Sequence, residues 1–238
     1  MALTKVIGSG VGELTNKVGL GLSSPAAALH VQTSTDGTGL SGDDIYVARF
    51  HNQEATSDRS FGVDIQAGSS TTDQALRIKD HDGTNTLMIV DGLGHITKPK
   101  QPAFLALSVA DTNLRTDATS VTLNFSTEIY DNNSDYNTST KTFTAPVTGR
   151  YFLSLFGYLL NVDTAATYVQ MSIITSNRAY NWLLAPKFAS DPAYVPFSVQ
   201  GAMDMDTNDT AYALWNSSGG TAQVDTDAGS SFSGFLLG

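Results

Sequence analysis

The sequence predicts an all-β protein, and three observations support this prediction. Turn-forming Gly, Ser, Thr, Asn and Asp are abundant, while charged residues make up only 15% of the 238-residue chain. Short β-branched and aromatic segments are separated by turn signals such as Asp36-Gly37, Asp82-Gly83 and Asp91-Gly92. No stretch sustains a 3.6-residue hydrophobic period over three helical turns, so a coiled-coil stalk is not predicted.

The first hundred residues contain short strand-like segments that are sparse in apolar residues. They are residues 28–31, 45–50, 61–65, 75–78 and 86–90. Such strands are too short to bury much surface within one chain, whereas three chains stacked around an axis would supply the missing partner surface. Residues 21–98 are therefore predicted to form an intertwined trimeric shaft. Gly-rich residues 1–20 are predicted to order on a partner surface and to anchor the protein.

A boundary is predicted at Ile96-Thr-Lys-Pro-Lys-Gln-Pro102, where two prolines and two lysines interrupt the pattern. Beyond it the strands lengthen, and residues 99–238 are predicted to form a separate head. The segments predicted as core strands of a sandwich or jelly roll are residues 150–160, 168–174, 194–203 and 210–215.

Composition excludes several classes of function. A net charge of −10 argues against nucleic acid as a partner, because phosphate binding needs clustered Lys and Arg. The chain has no cysteine, which excludes disulfides, thiolate metal sites and cysteine nucleophiles. The first residues lack the apolar core of a signal peptide and any membrane-spanning run, so assembly in a cytoplasm without membrane insertion is expected.

Residues 129–160 resemble the signature of the complement C1q-like globular domain. The matching elements are Tyr136, Phe143-Thr-Ala-Pro146, Gly149 and Tyr151-Phe152. Phe232-Ser-Gly-Phe-Leu-Leu237 is similar to the closing strand of that family, and Asp209-Thr-Ala-Tyr-Ala-Leu-Trp215 to the strand before it. The resemblance implies a ten-strand jelly roll that assembles as a tight homotrimer.

Residues 18–31 and 75–96 resemble segments that are frequent in bacteriophage tail-fibre proteins. The second segment contains Leu-Arg-Ile-Lys-Asp-x-Asp-Gly followed by Asp-Gly-Leu-Gly-His-Ile. Together with the C1q-like head, they imply a virion appendage, a tail fibre or receptor-binding protein, that is exposed on the particle and adheres to a host glycan or protein. Other virion proteins would hold its N-terminus. A capsid decoration or head fibre without a receptor is one alternative, and a tail-associated polysaccharide depolymerase is another.

No catalytic residue, metal site or cofactor is predicted. All four histidines, His30, His51, His81 and His95, lie in the first hundred residues, which removes a serine triad from the head. A histidine on a trimer axis would give three imidazoles, but turn or surface roles are favoured. Asp204 and Asp206 share one face of a strand and are interpreted as solvated turn residues rather than a catalytic pair.

Two sets of head residues are predicted to contact partners. Aromatic and apolar residues beyond what one core holds favour an interface between subunits; they are Tyr151, Phe152, Phe232, Phe235 and Leu237. The resemblance implies a jelly roll whose strands run alternately away from and towards the shaft, which places the connections 161–167, 186–193 and 217–230 at the distal end of the head, with 110–120 nearby. The receptor-binding residues predicted in or beside these connections are Asp163, Phe188, Asp191, Tyr194, Asp225 and Asp227.

Overall fold

A computed structural model describes residues 18–20, 29–31, 50, 57, 62–114 and 116–238. The chain divides into two compact units, Met1–Gln66 and Ala67–Gly238. No helix occurs among the described residues, which agrees with the all-β prediction. The domain bounds 1–20, 21–98 and 99–238 remain predictions.

The first unit contains one pair of parallel strands. β1 (Val18–Leu20) pairs with β2 (Leu29–Val31), and the predicted segment 28–31 coincides with β2. The predicted strand at 45–50 lies outside the described residues except for Phe50. The strand predicted at 61–65 is wrong where it is described, because Gly62 to Ile65 form no ladder with another segment and their side chains are exposed.

The second unit begins with a three-stranded antiparallel sheet, which we call the neck sheet. It consists of β3 (Gln74–Lys79), β4 (Thr86–Asp91) and β5 (Ile96–Thr97), in that order. The strands predicted at 75–78 and 86–90 are confirmed as β3 and β4. In the turn between them, Asp80 accepts hydrogen bonds from the backbone N–H and side-chain amide of Asn85.

The head is a sandwich of two antiparallel sheets. Its strands are β6 (Ala103–Leu107), β7 (Val121–Thr122), β8 (Thr127–Asp131), β9 (Tyr136–Asn137), β10 (Thr142–Thr144), β11 (Gly149–Leu160), β12 (Ala166–Thr175), β13 (Ala179–Leu184), β14 (Tyr194–Met205), β15 (Thr210–Gly219), β16 (Asp225–Thr226) and β17 (Ser231–Leu236). Sheet 1 has the order β13-β12-β15-β10-β9, and β7 pairs with β15. Sheet 2 has the order β14-β11-β17-β6-β8, and β16 pairs with β11.

These two five-strand paths give the ten strands of the predicted jelly roll. The four predicted core strands are confirmed as β11, β12, β14 and β15, each somewhat longer than predicted. Sequence reasoning did not find β13, which forms one edge of sheet 1 and in which exposed and half-buried positions alternate.

The core lies between the two sheets, and the period of two along each strand decides which side chains enter it. In β11 the odd-numbered residues Tyr151, Leu153 and Leu155 have no exposed surface. Rings from both sheets meet there, since Phe104 of sheet 2 stacks on Phe143 of sheet 1 with centroids 4.9 Å apart. The even-numbered side chains of β11 therefore point away from the core.

The head has two distinct ends, which position the candidate site. At the base, the backbone of Leu236 hydrogen-bonds to Pro102, and Arg150 to Gly238. Strand β11 runs from Gly149 at this base to Leu160 at the opposite end, which we call the apex. The connection between β11 and β12 lies at the apex, and the connection between β13 and β14 lies there too.

Candidate functional site: an apolar sheet face and an apical loop cluster

The outer face of sheet 2 is rich in exposed apolar side chains. The residues that point outward from β11 are Arg150, Phe152, Ser154, Phe156 and Tyr158. Phe156 and Tyr158 are 46% and 41% exposed, and Phe235 of β17 is 46% exposed. Large aromatic side chains on one sheet face form a patch of the kind that marks interaction sites.

The rings on this face form two groups along β11. Near the base, the centroids of Phe152 and Phe235 are 5.6 Å apart. Near the apex, Tyr158 lies between Phe156 and Tyr194, with centroid distances of 6.0 and 6.5 Å. Between the groups, Ser154 stands opposite Gln200 on one side and Ser233 on the other, so a polar strip separates the basal pair from the apical trio.

The predicted interface residues divide into surface and core positions. Phe235 and Leu237 are 46% and 52% exposed, and Phe152 is half-buried beside Phe235. The predictions for Tyr151 and Phe232 are wrong, because both side chains are completely buried within a single chain. Their strand parity points them into the sandwich, where Phe232 contacts the ring of Phe104.

The apical loops are held together by the carboxylate of Asp163. It accepts hydrogen bonds from the backbone N–H of Ala165, at 2.7 Å, and from the backbone N–H and hydroxyl of Thr221, at 2.6 and 2.9 Å. Asp163 itself is only 7% exposed. One side chain thus ties the connection between β11 and β12 to the connection that follows β15.

Asp191 links a third connection to the same cluster. Its carboxylate accepts hydrogen bonds from the backbone N–H and hydroxyl of Thr164 and from the side-chain amide of Gln223. The amide of Gln223 also donates to the carbonyl of Asn161. We call the loops joined by Asp163 and Asp191 the apical loop cluster.

The segment after β6 joins this cluster. The backbone N–H of Asn113 donates to the Asp225 carboxylate, and that of Leu114 to the carbonyl of Val224. The four predicted connections therefore meet at one end of the head. Two of the predicted connections are corrected. Residues 166–167 already belong to β12, and the connection 217–230 includes residues 217–219 of β15 and 225–226 of β16.

Hydrogen bonding sets the charge state of the cluster. Bonds from the Ala165 and Thr221 N–H groups lower the pKa of Asp163, and bonds from the Thr164 N–H and hydroxyl lower the pKa of Asp191. Burial raises the pKa of Asp111, whose carboxylate accepts a hydrogen bond from the N–H of Asn124. Asp163 and Asp191 are therefore ionised at neutral pH and already have hydrogen-bond partners.

Only some of the predicted receptor-binding side chains are free to reach a partner. Phe188 and Tyr194 are 45% and 65% exposed. The predicted receptor-binding role of Asp163 is wrong, because its side chain is buried and holds the apical loops together. Asp225 and Asp227 are half-buried. The Asp225 carboxylate accepts a hydrogen bond from the backbone N–H of Asn113, and the Asp227 carboxylate accepts one from the backbone N–H of Gly229 in the same turn. Asp191 is exposed, although its carboxylate already accepts hydrogen bonds from Thr164 and Gln223.

The other polar candidates have structural partners. Asp204 forms an exposed ion pair with Arg178, at 2.8 Å, and Asp206 lies in the turn closed by Asp209. His95 Nδ1 lies 2.8 Å from the Asp91 carboxylate, across the turn between β4 and β5. Within residues 62–114 and 116–238 and the shorter described segments, no three His, Asp or Glu side chains group as a metal site.

The two-sheet sandwich, with its strand order and open apolar face, defines a jelly-roll interaction module. The C1q domain family model matches residues 103–237, more than half of the chain, and the chain belongs to this family. The globular domain of the zebrafish complement 1qA protein is a similar solved structure, with 21% identity and a TM-score of 0.43 over 58% of this chain and 98% of that one. The search among curated proteins found no match.

No helix in the described part of the chain is long and apolar enough to cross a membrane.

Sequence reasoning missed the residues that complete both surfaces. Phe156 and Tyr158 share the parity of Phe152, so strict alternation along 150–160 could have placed all three on one face. Thr164, Thr221 and Gln223 carry no such signal, because their partners are distant in sequence.

Proposed function

We propose that this chain is a bacteriophage virion appendage, a tail fibre or receptor-binding protein, whose trimeric C1q head adheres to the host cell surface. The observation that carries the proposal is the apical loop cluster, where Asp163 and Asp191 hold the loops while the ring of Phe188 stays exposed. Rigid loops lose little conformational entropy on binding, and exposed rings supply contact area. The fibre-like segments at 18–31 and 75–96 support a place on the virion.

The homotrimer forms through the outer face of sheet 2. Of the contacts predicted from the sequence, Phe152 and Phe235 lie on this face and Leu237 follows β17 with an exposed side chain. Phe156 and Tyr158 extend the face toward the apex. Burying such rings against a neighbouring subunit removes apolar surface from water, the dominant favourable term in association. Membership of the C1q domain family supports this assembly, since trimers are common among C1q domains.

The host ligand is a surface glycan or protein. Aromatic rings beside short polar side chains suit either ligand, and the exposed Phe188 and Tyr194 flank Asp191, the hydrogen-bond partner of Thr164, along the chain. A trimer presents three copies of the cluster, so that weak single contacts sum by effective concentration. Residues 1–20, mostly outside the described residues, attach the trimer to other virion proteins, and their deletion leaves a soluble trimer that does not join particles.

Adsorption to host cells tests the proposal. Phe188→Ser should reduce adsorption of virions or purified trimers by about tenfold, the effect of losing one good contact. Val147→Ser is the matched control, because Val147 is also 45% exposed but lies at the base, where it lines a groove with Leu236. Unchanged adsorption by a folded Phe188→Ser trimer would contradict the receptor role and favour the capsid-decoration alternative. Release of sugar from host polysaccharide would instead identify a depolymerase.

A further inference from the structure

Between the two register shifts of β3 and β4, the neck sheet has one face made of aliphatic side chains. Its register places Leu76 opposite Val90, Ile78 opposite Met88, and Val90 opposite Ile96. Residues that are paired across strands, or two apart along a strand, point to the same side of a sheet. We call this side the aliphatic face, and its members are Leu76, Ile78, Met88, Val90 and Ile96.

The opposite face of the neck sheet differs in character. Arg77 stands opposite Ile89, and Ile89 opposite Thr97. This side therefore mixes charged, polar and apolar groups, as expected of a face in contact with water. The contrast between the two faces indicates that they have different environments.

The described residues of the chain leave the aliphatic face partly open. Ile78 and Ile96 are 43% and 60% exposed, and Leu76, Met88 and Val90 are only half-buried. Not one residue of β3, β4 or β5 is fully buried. A three-stranded sheet of this size needs a packed hydrophobic face to be stable, and within the described residues this sheet lacks one.

The aliphatic face is continuous with the apolar face of the head. Ile96, at the end of the aliphatic face, and Phe235, at the basal end of the outer face of sheet 2, line the same groove of about 360 Å³. Pro102 and Ala103, which link the neck sheet to the head, also line that groove. Copies of the chain that meet along the head face are thereby brought together along the neck as well.

We propose that the aliphatic face packs against the aliphatic faces of two further copies of this chain, forming a closed three-sided core beneath the heads. Every copy presents the same uncharged surface, so three copies related by a threefold axis bury it without pairing any charge. The inference rests on the homotrimer proposed above. It adds an assembly element outside the C1q domain, which begins at residue 103.

The absence of native cysteine allows a test without background. Ile96→Cys and Leu93→Cys place single thiols at positions that are 60% and 59% exposed in one chain. Leu93 lies in the turn between β4 and β5, where its N–H donates to Asp91, and not on the aliphatic face. In the full-length trimer, Ile96→Cys should react with a maleimide at least about tenfold more slowly than Leu93→Cys, because access limits thiol chemistry.

Crosslinking identifies what covers the face. A short bismaleimide should join two Ile78→Cys chains into a covalent dimer, whereas Arg77→Cys, the adjacent residue on the opposite face, should remain uncrosslinked. Protection of Ile96→Cys without crosslinking of Ile78→Cys would show that the face is covered within one chain, and would overturn the proposal.

Light scattering on the same samples separates this inference from the proposed trimer. A trimeric mass with equal labelling of Ile96→Cys and Leu93→Cys would refute the neck core and leave the head trimer standing. A monomeric mass for the unsubstituted chain would refute both. Loss of the trimer in Ile96→Cys but not in Leu93→Cys supports the neck core, because the two positions are matched in exposure.

Discussion

Asp163 and Thr221 lie 58 positions apart, yet the Asp163 carboxylate accepts both the backbone N–H and the hydroxyl of Thr221, at 2.6 and 2.9 Å. Because Asp163 also accepts the N–H of Ala165, a single carboxylate sets the relative positions of two apical loops. The connection that carries the exposed Phe188 joins these loops through Asp191, which accepts the N–H of Thr164.

Asp163→Ala should loosen the apical loops without unfolding the head. The N–H groups of Ala165 and Thr221 lose their acceptor, and we expect their amide hydrogen exchange to accelerate by about tenfold, the effect of one net hydrogen bond. Exchange in the core strand β12 should not change. Asp204→Ala, which removes an exposed ion pair with Arg178, is the control. Equal exchange at Thr221 in both variants would contradict the role of Asp163.

Acid should loosen the same loops. Asp163 and Asp191 both have a pKa below the ordinary value of 3.8 in the folded protein. A carboxyl whose folded pKa is lowered stabilises the fold above its unfolded pKa, and this stabilisation is lost as the pH falls through the folded pKa. The protection of the Thr164 and Thr221 amides, measured against their intrinsic exchange rates, should therefore fall below about pH 4 and stay constant from pH 5 to 7. Loosening that begins near pH 6 would point to other groups.

Phe235→Asp should dissociate the trimer, whereas Phe188→Asp should not. The two phenylalanines are matched, at 46% and 45% exposed, but Phe235 lies on the outer face of sheet 2 and Phe188 in an apical loop. A carboxylate at a desolvated interface costs several kcal/mol, by rough analogy with unpaired buried charges. Light scattering measures the mass of each variant. A Phe235→Asp trimer would place the interface elsewhere.

Phe232→Ala should destabilise the head as a core variant does. The ring of Phe232 is completely buried and contacts those of Phe104, Phe125 and Tyr136. Removing it should cost about 3 to 5 kcal/mol of unfolding free energy. Because the ring is completely buried within one chain, the loss of unfolding free energy relative to the unsubstituted protein should not vary with protein concentration in denaturant unfolding. A loss of unfolding free energy that grows on dilution would instead indicate that Phe232 contributes to the interface between subunits.

Gly157→Ala should perturb the junction between β11 and the turn that precedes β17. A Cβ atom at Gly157 would lie 2.4 Å from the Cβ and 2.9 Å from the Cα of the buried Ser230. Since backbone must shift, we expect a loss of about 1 to 3 kcal/mol. Gly201→Ala in the neighbouring strand is the control, because a Cβ there meets nothing within 4 Å. Thermal unfolding compares the two, and equal midpoints would show that the turn adapts without cost.

The sequence by itself determined the all-β class, the jelly-roll head and the four long strands. Enrichment in aromatic and aliphatic residues between turn signals is a local property, and residues 150–160 display it without any knowledge of the partner strands. The family signature likewise depends on short words in a set order, such as Phe143-Thr-Ala-Pro146, and the match to residues 103–237 confirms it.

Only the tertiary structure decided which of two adjacent rings faces the core. Tyr151 and Phe152 are both aromatic and both fit an interface, but the pairing of β11 with β14 and β17 buries the first and leaves the second on the outer face. The loop frame shows the same limit, since Asp163 reads as an exposed turn residue until the fold brings Thr221 to it. Local periodicity defines two faces of a strand, whereas the choice between them depends on contacts between residues far apart in the chain.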